Sequence, residues 1–125
     1  MVTVRDVMST KLITVEPTAT VAEAATIMGE RHVGSALVIE GDSLIGIFTE
    51  RDIVRALSQD FDAPRHQIAD WMTRNPQTVV PETSIQDALD RMLKGGFRHL
   101  PVVEEGSPVG VISMRDISRA TAERD

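Results

Sequence analysis

Apolar residues recur at helical spacing twice along this 125-residue chain. Val21, Ala24, Ala25 and Met28 stand at i, i+3, i+4 and i+7, and Ile85, Ala88, Leu89 and Met92 repeat the pattern. Each set predicts one amphipathic helix with a single apolar stripe. Each stripe opens on hydroxyl-x-x-acid, Thr20-x-x-Glu23 or Ser84-x-x-Asp87, which is the spacing of a capping box. Ahead of each helix lies a short apolar piece, residues 12–15 or 77–80, followed by Pro17 or Pro81. Behind each come two further apolar runs, 35–39 with 44–48 and 100–103 with 109–112. Glu40-Gly41-Asp42-Ser43 and Glu104-Glu105-Gly106-Ser107 separate the runs and predict hairpins. A last helix is expected from near Thr49 and again from near Ser113. The predicted order is β-α-β-β-α, twice.

The two halves are copies. A shift of 64 positions lays residues 4–56 on 68–120 without a gap, and 16 of the 53 pairs are identical, among them Asp6/Asp70, Met8/Met72, Met28/Met92, Gly46/Gly110 and Asp52/Asp116. Such self-similarity marks a repeat architecture. The reading is therefore a repeat over 1–60, a second over 61–125, and a linker near 58–67 that is polar, contains Pro64 and has no periodicity. A repeat of about 55 residues buries its apolar faces poorly alone. The expected fold is α/β (α+β), two repeats packed through their sheets about a pseudo-two-fold axis. Seams of that kind are usual ligand sites.

Composition narrows the function. There is no cysteine, which excludes a disulfide scaffold, a thiolate metal site and a cysteine nucleophile. His32, His66 and His99 are not at metal-ligand spacing, so no metal site is expected. Aromatic residues are only 3% of the chain, too few for a base-stacking platform. The net charge of −6 argues against general phosphate-backbone binding, so nucleic acid is an unlikely partner. The charge is uneven: residues 1–62 hold 5 Lys/Arg and 10 Asp/Glu, and residues 63–125 hold 8 and 9. Cations for an anionic ligand should therefore come from the second half. No run approaches a membrane span, and the opening MVTVRDVMSTKL lacks an apolar signal core, so a cytoplasmic location is expected.

The repeated chemistry is Gly46-Ile47-Phe48-Thr49-Glu50-Arg51-Asp52 and Gly110-Val111-Ile112-Ser113-Met114-Arg115-Asp116. Glycine in a strand lets a ligand approach the backbone closely, a hydroxyl at a helix start lies beside unpaired N–H groups that favour a phosphate, and a carboxylate one turn later can accept from a ribose diol. The same hydroxyl-x-x-acid spacing is also a capping box, so Asp52 and Asp116 need no ligand to explain them.

These features, with the phrases RHVGSALVIEGDSLIGIFTERDIV and FRHLPVVEEGSPVGVISMRDI, resemble a tandem pair of cystathionine-β-synthase-type (CBS) domains over about residues 4–120. The resemblance implies a non-enzymatic regulatory module, a Bateman module, that binds adenosine-containing ligands: AMP, ADP, ATP, NAD(H) or S-adenosylmethionine. No catalytic cofactor is implied. By that resemblance one ligand set is Ser113 and Asp116 with Met8, Ile13, Thr14, Val33, Gly34 and Ser35. The other is Thr49 and Asp52 with Met72, Gln77, Thr78, Phe97, Arg98 and His99. Phosphates are expected toward Arg98 and His99, so the two sets are unequal and one should bind more tightly. A homodimer is expected, with an unidentified protein target. On this reading the module stands alone, as an energy or redox sensor. The alternative is a ligand-free dimerisation or docking module.

Among the remaining residues, Met28 and Met92 read as core filler, while Met8 and Met72 are open to either packing or adenine contact. Trp71 reads as packing at a domain edge or dimer interface. The polar tail 121–125 is expected to fray.

Overall fold

The structure, a computed structural model, describes residues 1–124. Its elements run α1 (Val4–Val7), β1 (Thr14–Val15), α2 (Val21–Arg31), β2 (Ser35–Glu40), β3 (Ser43–Thr49), α3 (Glu50–Gln59), β4 (Thr73–Arg74), α4 (Ile85–Gly95), β5 (His99–Glu104), β6 (Ser107–Ser113) and α5 (Met114–Arg124). This is the expected α+β composition in two repeats, the first in β-α-β-β-α order and the second lacking its predicted first strand. Two 3-10 turns, Ala63–Arg65 and Ile68–Asp70, occupy or border the segment read as a linker. That segment is not featureless: Ala63 is fully buried, and Thr20 bridges to Gln67. The tail is helical to Arg124, so no break occurs at Thr121; Asp125 lies outside the described residues.

The chain condenses into two units that are not cut at the repeat boundary. A central unit holds residues 13–76, and a split unit joins residues 1–12 to 77–124. In the central unit one sheet runs β1-β2-β3-β4, with β1 parallel to β2 and the other pairs antiparallel. Its core is built from Ile13, Val15, Val21, Ala24, Met28, Ala36, Val38, Phe48, Ile68 and Met72. In the split unit the β5-β6 hairpin packs over Val4, Val79, Ala88, Met92, Leu100, Val102, Ile112 and Ile117. Met28 and Met92 are core residues, as their helical stripes predict.

The helices start where the sequence indicates. The Thr20 hydroxyl accepts the Glu23 N–H at 3.0 Å, and the Ser84 hydroxyl accepts that of Asp87 at 3.1 Å. One helix was not anticipated. α1 is a single turn whose Asp6 carboxylate accepts the Thr3 N–H at 2.9 Å, the same grammar in a stretch too short to show periodicity. It docks by Val4 N–H to the Thr83 carbonyl (2.7 Å) and Arg5 N–H to that of Pro81 (2.9 Å). The Arg5 guanidinium reaches Glu82 at 2.9 Å and Glu104 at 2.6 Å, and those hydrogen bonds raise its pKa above the ordinary arginine value.

The two hairpins share one irregularity. A bulge follows Val38 in the first and Val102 in the second, so that Ile45 and Val109 are skipped in the hairpin register. Their turns differ. Gly41 alone has positive φ (61°) in the first, the sign pattern of a type II′ turn, whereas Glu105 (52°) and Gly106 (82°) both do in the second, that of type I′.

A strand predicted over 77–80 is absent; only the parallel bridge Val79–Val102 remains. The cause is Pro101. Its counterpart Leu37 donates its N–H to the Ile13 carbonyl at 3.0 Å and so completes the β1 pairing. Proline has no N–H to give, and the ladder is lost at that rung.

Candidate functional site

Each hairpin delivers a hydroxyl and a carboxylate to the place where its last strand becomes a helix. In the central unit Thr49 ends β3 and Asp52 lies in the first turn of α3. The Asp52 Oδ2 accepts the Thr49 N–H at 2.9 Å and its hydroxyl at 3.2 Å. Asp52 is 6% exposed and Ser35 7%, the two buried polar residues among those described. Ser35 pairs with Thr49 across the hairpin, and the Glu50 N–H donates to the Gly34 carbonyl at 3.1 Å. Gly34, Ser35, Thr49 and Asp52 thus form one cluster.

The split unit repeats the arrangement. Asp116 Oδ2 accepts the Ser113 N–H at 2.9 Å, and the Ser113 hydroxyl accepts the Asp116 N–H at 3.1 Å. His99 pairs with Ser113, and the Met114 N–H donates to the Arg98 carbonyl at 3.0 Å. Arg98, His99, Ser113 and Asp116 are therefore neighbours, with Arg98 exposed and the others half-buried. Both carboxylates sit in capping boxes at positive helix ends, so the structural reading of the motif is realised in each copy.

The close approach that Gly46 and Gly110 allow is made by the chain itself. A Cβ on Gly46 would stand 2.6 Å from the Met72 sulfur and 3.0 Å from the Thr73 carbonyl oxygen. One on Gly110 would stand 2.8 Å from both the Met8 sulfur and the Ser9 carbonyl oxygen. Met72 is 8% exposed in the central core, and Met8 packs half-buried against the other core.

The remaining expected residues take various positions. Ile13 is a core side chain whose carbonyl serves Leu37, and Thr14 is exposed on β1. Val33 packs half-buried against the same core, its N–H on the Met28 carbonyl. Phe97 is half-buried, with its N–H on the Met92 carbonyl. Gln77 and Thr78 are exposed, and the Thr78 carbonyl lies 3.4 Å from Arg91 Nη1. Sequence reasoning missed Arg55, whose Nη2 lies 3.4 Å from Asp52 Oδ1. The signal was available as Asp-x-x-Arg, repeated at Asp116-x-x-Arg119. Among the described residues, no group of three or more His, Cys, Asp or Glu side chains is placed to hold a metal ion.

The family model described as the CBS domain matches residues 4–59 and again residues 68–123. The chain belongs to the CBS domain family. A 17.7 kDa uncharacterized protein of Acidianus ambivalens is 43% identical over 94% of this CBS pair and 71% of its own length. The CBS domain-containing protein YhcV of Bacillus subtilis is 33% identical, with 94% and 84% covered. CBSCBSPB1 of Arabidopsis thaliana is 38% identical, but the match spans only 21% of it. Among solved structures, the CBS domain pair of protein MJ0100, in complex with 5′-methylthioadenosine and S-adenosyl-L-methionine, superposes with a TM-score of 0.91. It is 28% identical, over 100% of this chain and 99% of that one. CBSX2 in complex with AMP gives a TM-score of 0.82 at 26% identity, over 99% and 98%. CBS pairs of this kind are regulatory modules, and these two hold adenosine-containing ligands. Among the described residues, no helix of the CBS pair is long and apolar enough to cross a membrane.

Proposed function

We propose that this chain is a non-catalytic, cytoplasmic regulatory module, working as a homodimer, that binds an adenosine-containing ligand (AMP, ADP, ATP, NAD(H) or S-adenosylmethionine) and reports cellular energy or redox state to a protein target. The observation that carries this reading is the end-to-end likeness to CBS pairs that hold AMP or 5′-methylthioadenosine with S-adenosyl-L-methionine. In the proposed roles, Asp52 and Asp116 accept from ribose hydroxyls, and Thr49 and Ser113 orient them. Arg98 and His99 take phosphate. Met8, Ile13, Thr14, Val33, Gly34, Ser35, Met72, Gln77, Thr78 and Phe97 line the base side of the two ligand sets.

A thermal-shift panel of AMP, ADP, ATP, NAD, NADH and S-adenosylmethionine tests the reading. A true ligand at about 100 times its Kd adds about 2.7 kcal/mol. Replacing Asp52 or Asp116 by Ala should each weaken one site by about 1–3 kcal/mol, the scale of a lost hydrogen bond to a charged group. No stabilisation by any of the six at millimolar concentration rejects the proposal. Stabilisation that survives both replacements rejects the residue roles.

One observation favours the alternative, a ligand-free dimerisation or docking module. The Asp52 carboxylate is already occupied, by Thr49 on Oδ2 and Arg55 on Oδ1. Assembly by light scattering that persists in nucleotide-free protein, together with a blank thermal panel, would select that reading.

A further inference from the structure

Arg55 stands at the centre of a chain of contacts that the proposed ligand role does not use. Its Nη2 donates to the Trp71 carbonyl at 2.6 Å, and its guanidinium carbon lies 5.2 Å from the Trp71 ring centroid. The same Nη2 faces Asp52 Oδ1 at 3.4 Å. From Trp71 the chain continues, because the indole N–H donates to His66 Nδ1 at 3.2 Å and the two rings stack at 6.1 Å with 7° between their planes. His66 Nε2 then faces Asp60 Oδ2 at 3.5 Å. Asp60 caps the C-terminus of α3, whose first turn holds Asp52. A side-chain path therefore runs from the carboxylate at one end of α3, over the indole, to the residue that closes the other end.

The path exists in one repeat only. Val7 replaces Trp71 in register, and among the described residues no ion pair joins Arg119 to Asp116. The two proposed ligand sites are thus built differently beyond their shared motif.

We propose that Arg55 is a positioning residue that relays occupancy at Asp52 to Trp71 and the 60–71 segment. This rests on the adenosine reading of Asp52 only for the identity of the occupant. The direction of the relay follows from the bond lengths. Thr49 saturates Oδ2, so an incoming ribose hydroxyl must take Oδ1, where Arg55 is held loosely. Arg55 is held closely at the Trp71 carbonyl, so a guanidinium released by Asp52 stays with Trp71 and changes the electrostatic field at the indole. Cation–indole contacts are sensitive to such small displacements.

Trp71 is the sole tryptophan, which makes the relay directly readable. The full chain is titrated with AMP, and separately with S-adenosylmethionine, by calorimetry and by intrinsic emission. The emission should shift with the same midpoint as the heat. R55M should retain heat but lose the emission shift, R55K should recover part of it, and R119M should leave it intact. Without ligand, D52N should move the Trp71 indole N–H resonance in the native background and leave it in place in R55M. A full emission shift in R55M, or a D52N effect that is absent or independent of Arg55, overturns the relay. If neither ligand gives heat, AMP and S-adenosylmethionine are excluded as the occupant, and the D52N and R55M resonances still decide whether Arg55 couples Asp52 to Trp71.

Discussion

Glycine at positions 46 and 110 is a packing requirement before it is anything else. The motif reading took these glycines as room for a ligand; the atoms that fill the room belong to Met72 with Thr73 and to Met8 with Ser9. A methyl group on Gly110 meets a backbone carbonyl oxygen at 2.8 Å, which cannot swing away, whereas on Gly46 the contact under 3.0 Å is a flexible thioether. Both Gly→Ala changes should destabilise, by about 1–3 kcal/mol for overpacking of this kind, with G110A the larger. Urea unfolding of the two variants checks the order. Equal, negligible losses would mean that the segments lift away at no cost. The repeats also handle the end of the central helix differently. His32 caps α2 in the left-handed region (φ 55°), where its counterpart Gly96 caps α4 at φ 72°. A backbone need that glycine announces in one copy is hidden by histidine in the other, which is why residue identity alone does not reveal it.

At the scale of elements, the stripes at Val21–Met28 and Ile85–Met92 and both hairpins could be read from the pattern, because each has a periodicity that a window of ten residues can reveal. The elements that escaped are short. α1, β4 and the two 3-10 turns have two to four residues each, and what fixes them is the unit on which they dock, not their own propensity. Position 101 shows the converse. The apolar run at 77–80 has strand character, and a missing N–H on its neighbour decides the outcome. P101L should therefore restore a donor opposite the Gln77 carbonyl, as Leu37 supplies one to Ile13. The amide of residue 101 in that variant should be protected in hydrogen exchange. Free exchange there would show that the rung fails for a reason other than proline. Of the candidate site, the hydroxyls and carboxylates were legible because they repeat at fixed spacing. Arg55 repeats at fixed spacing too, as Arg119, but its contact with Trp71, 16 residues away and absent from the other copy, was not legible.

For the molecule as a whole, similarity and compactness draw different boundaries. The family model matches 4–59 and 68–123, while the compact units are 13–76 and 1–12 with 77–124. Val4 and Ile68 occupy equivalent positions in the repeats, yet each sits in the core built mainly by the other repeat. V4A should accordingly cost about 2 kcal/mol in the split unit, typical for a fully buried methyl pair. Hydrogen exchange should show the lost protection in β5, β6 and α4, and not in β2 and β3, although Val4 belongs by sequence to the first repeat. Loss confined to β2 and β3 would contradict the assignment.

This division sets a timetable for a chain emerging from the ribosome. Residues 13–76 are contiguous and complete as soon as Pro76 is free, so they can condense first. Val4 and Met8 must then wait, uncovered, until the hairpin that receives them has been made. During that interval the same dozen residues fit the 77–124 portion of any second nascent chain nearby, and exchange of this segment between copies becomes a competing route to the folded state.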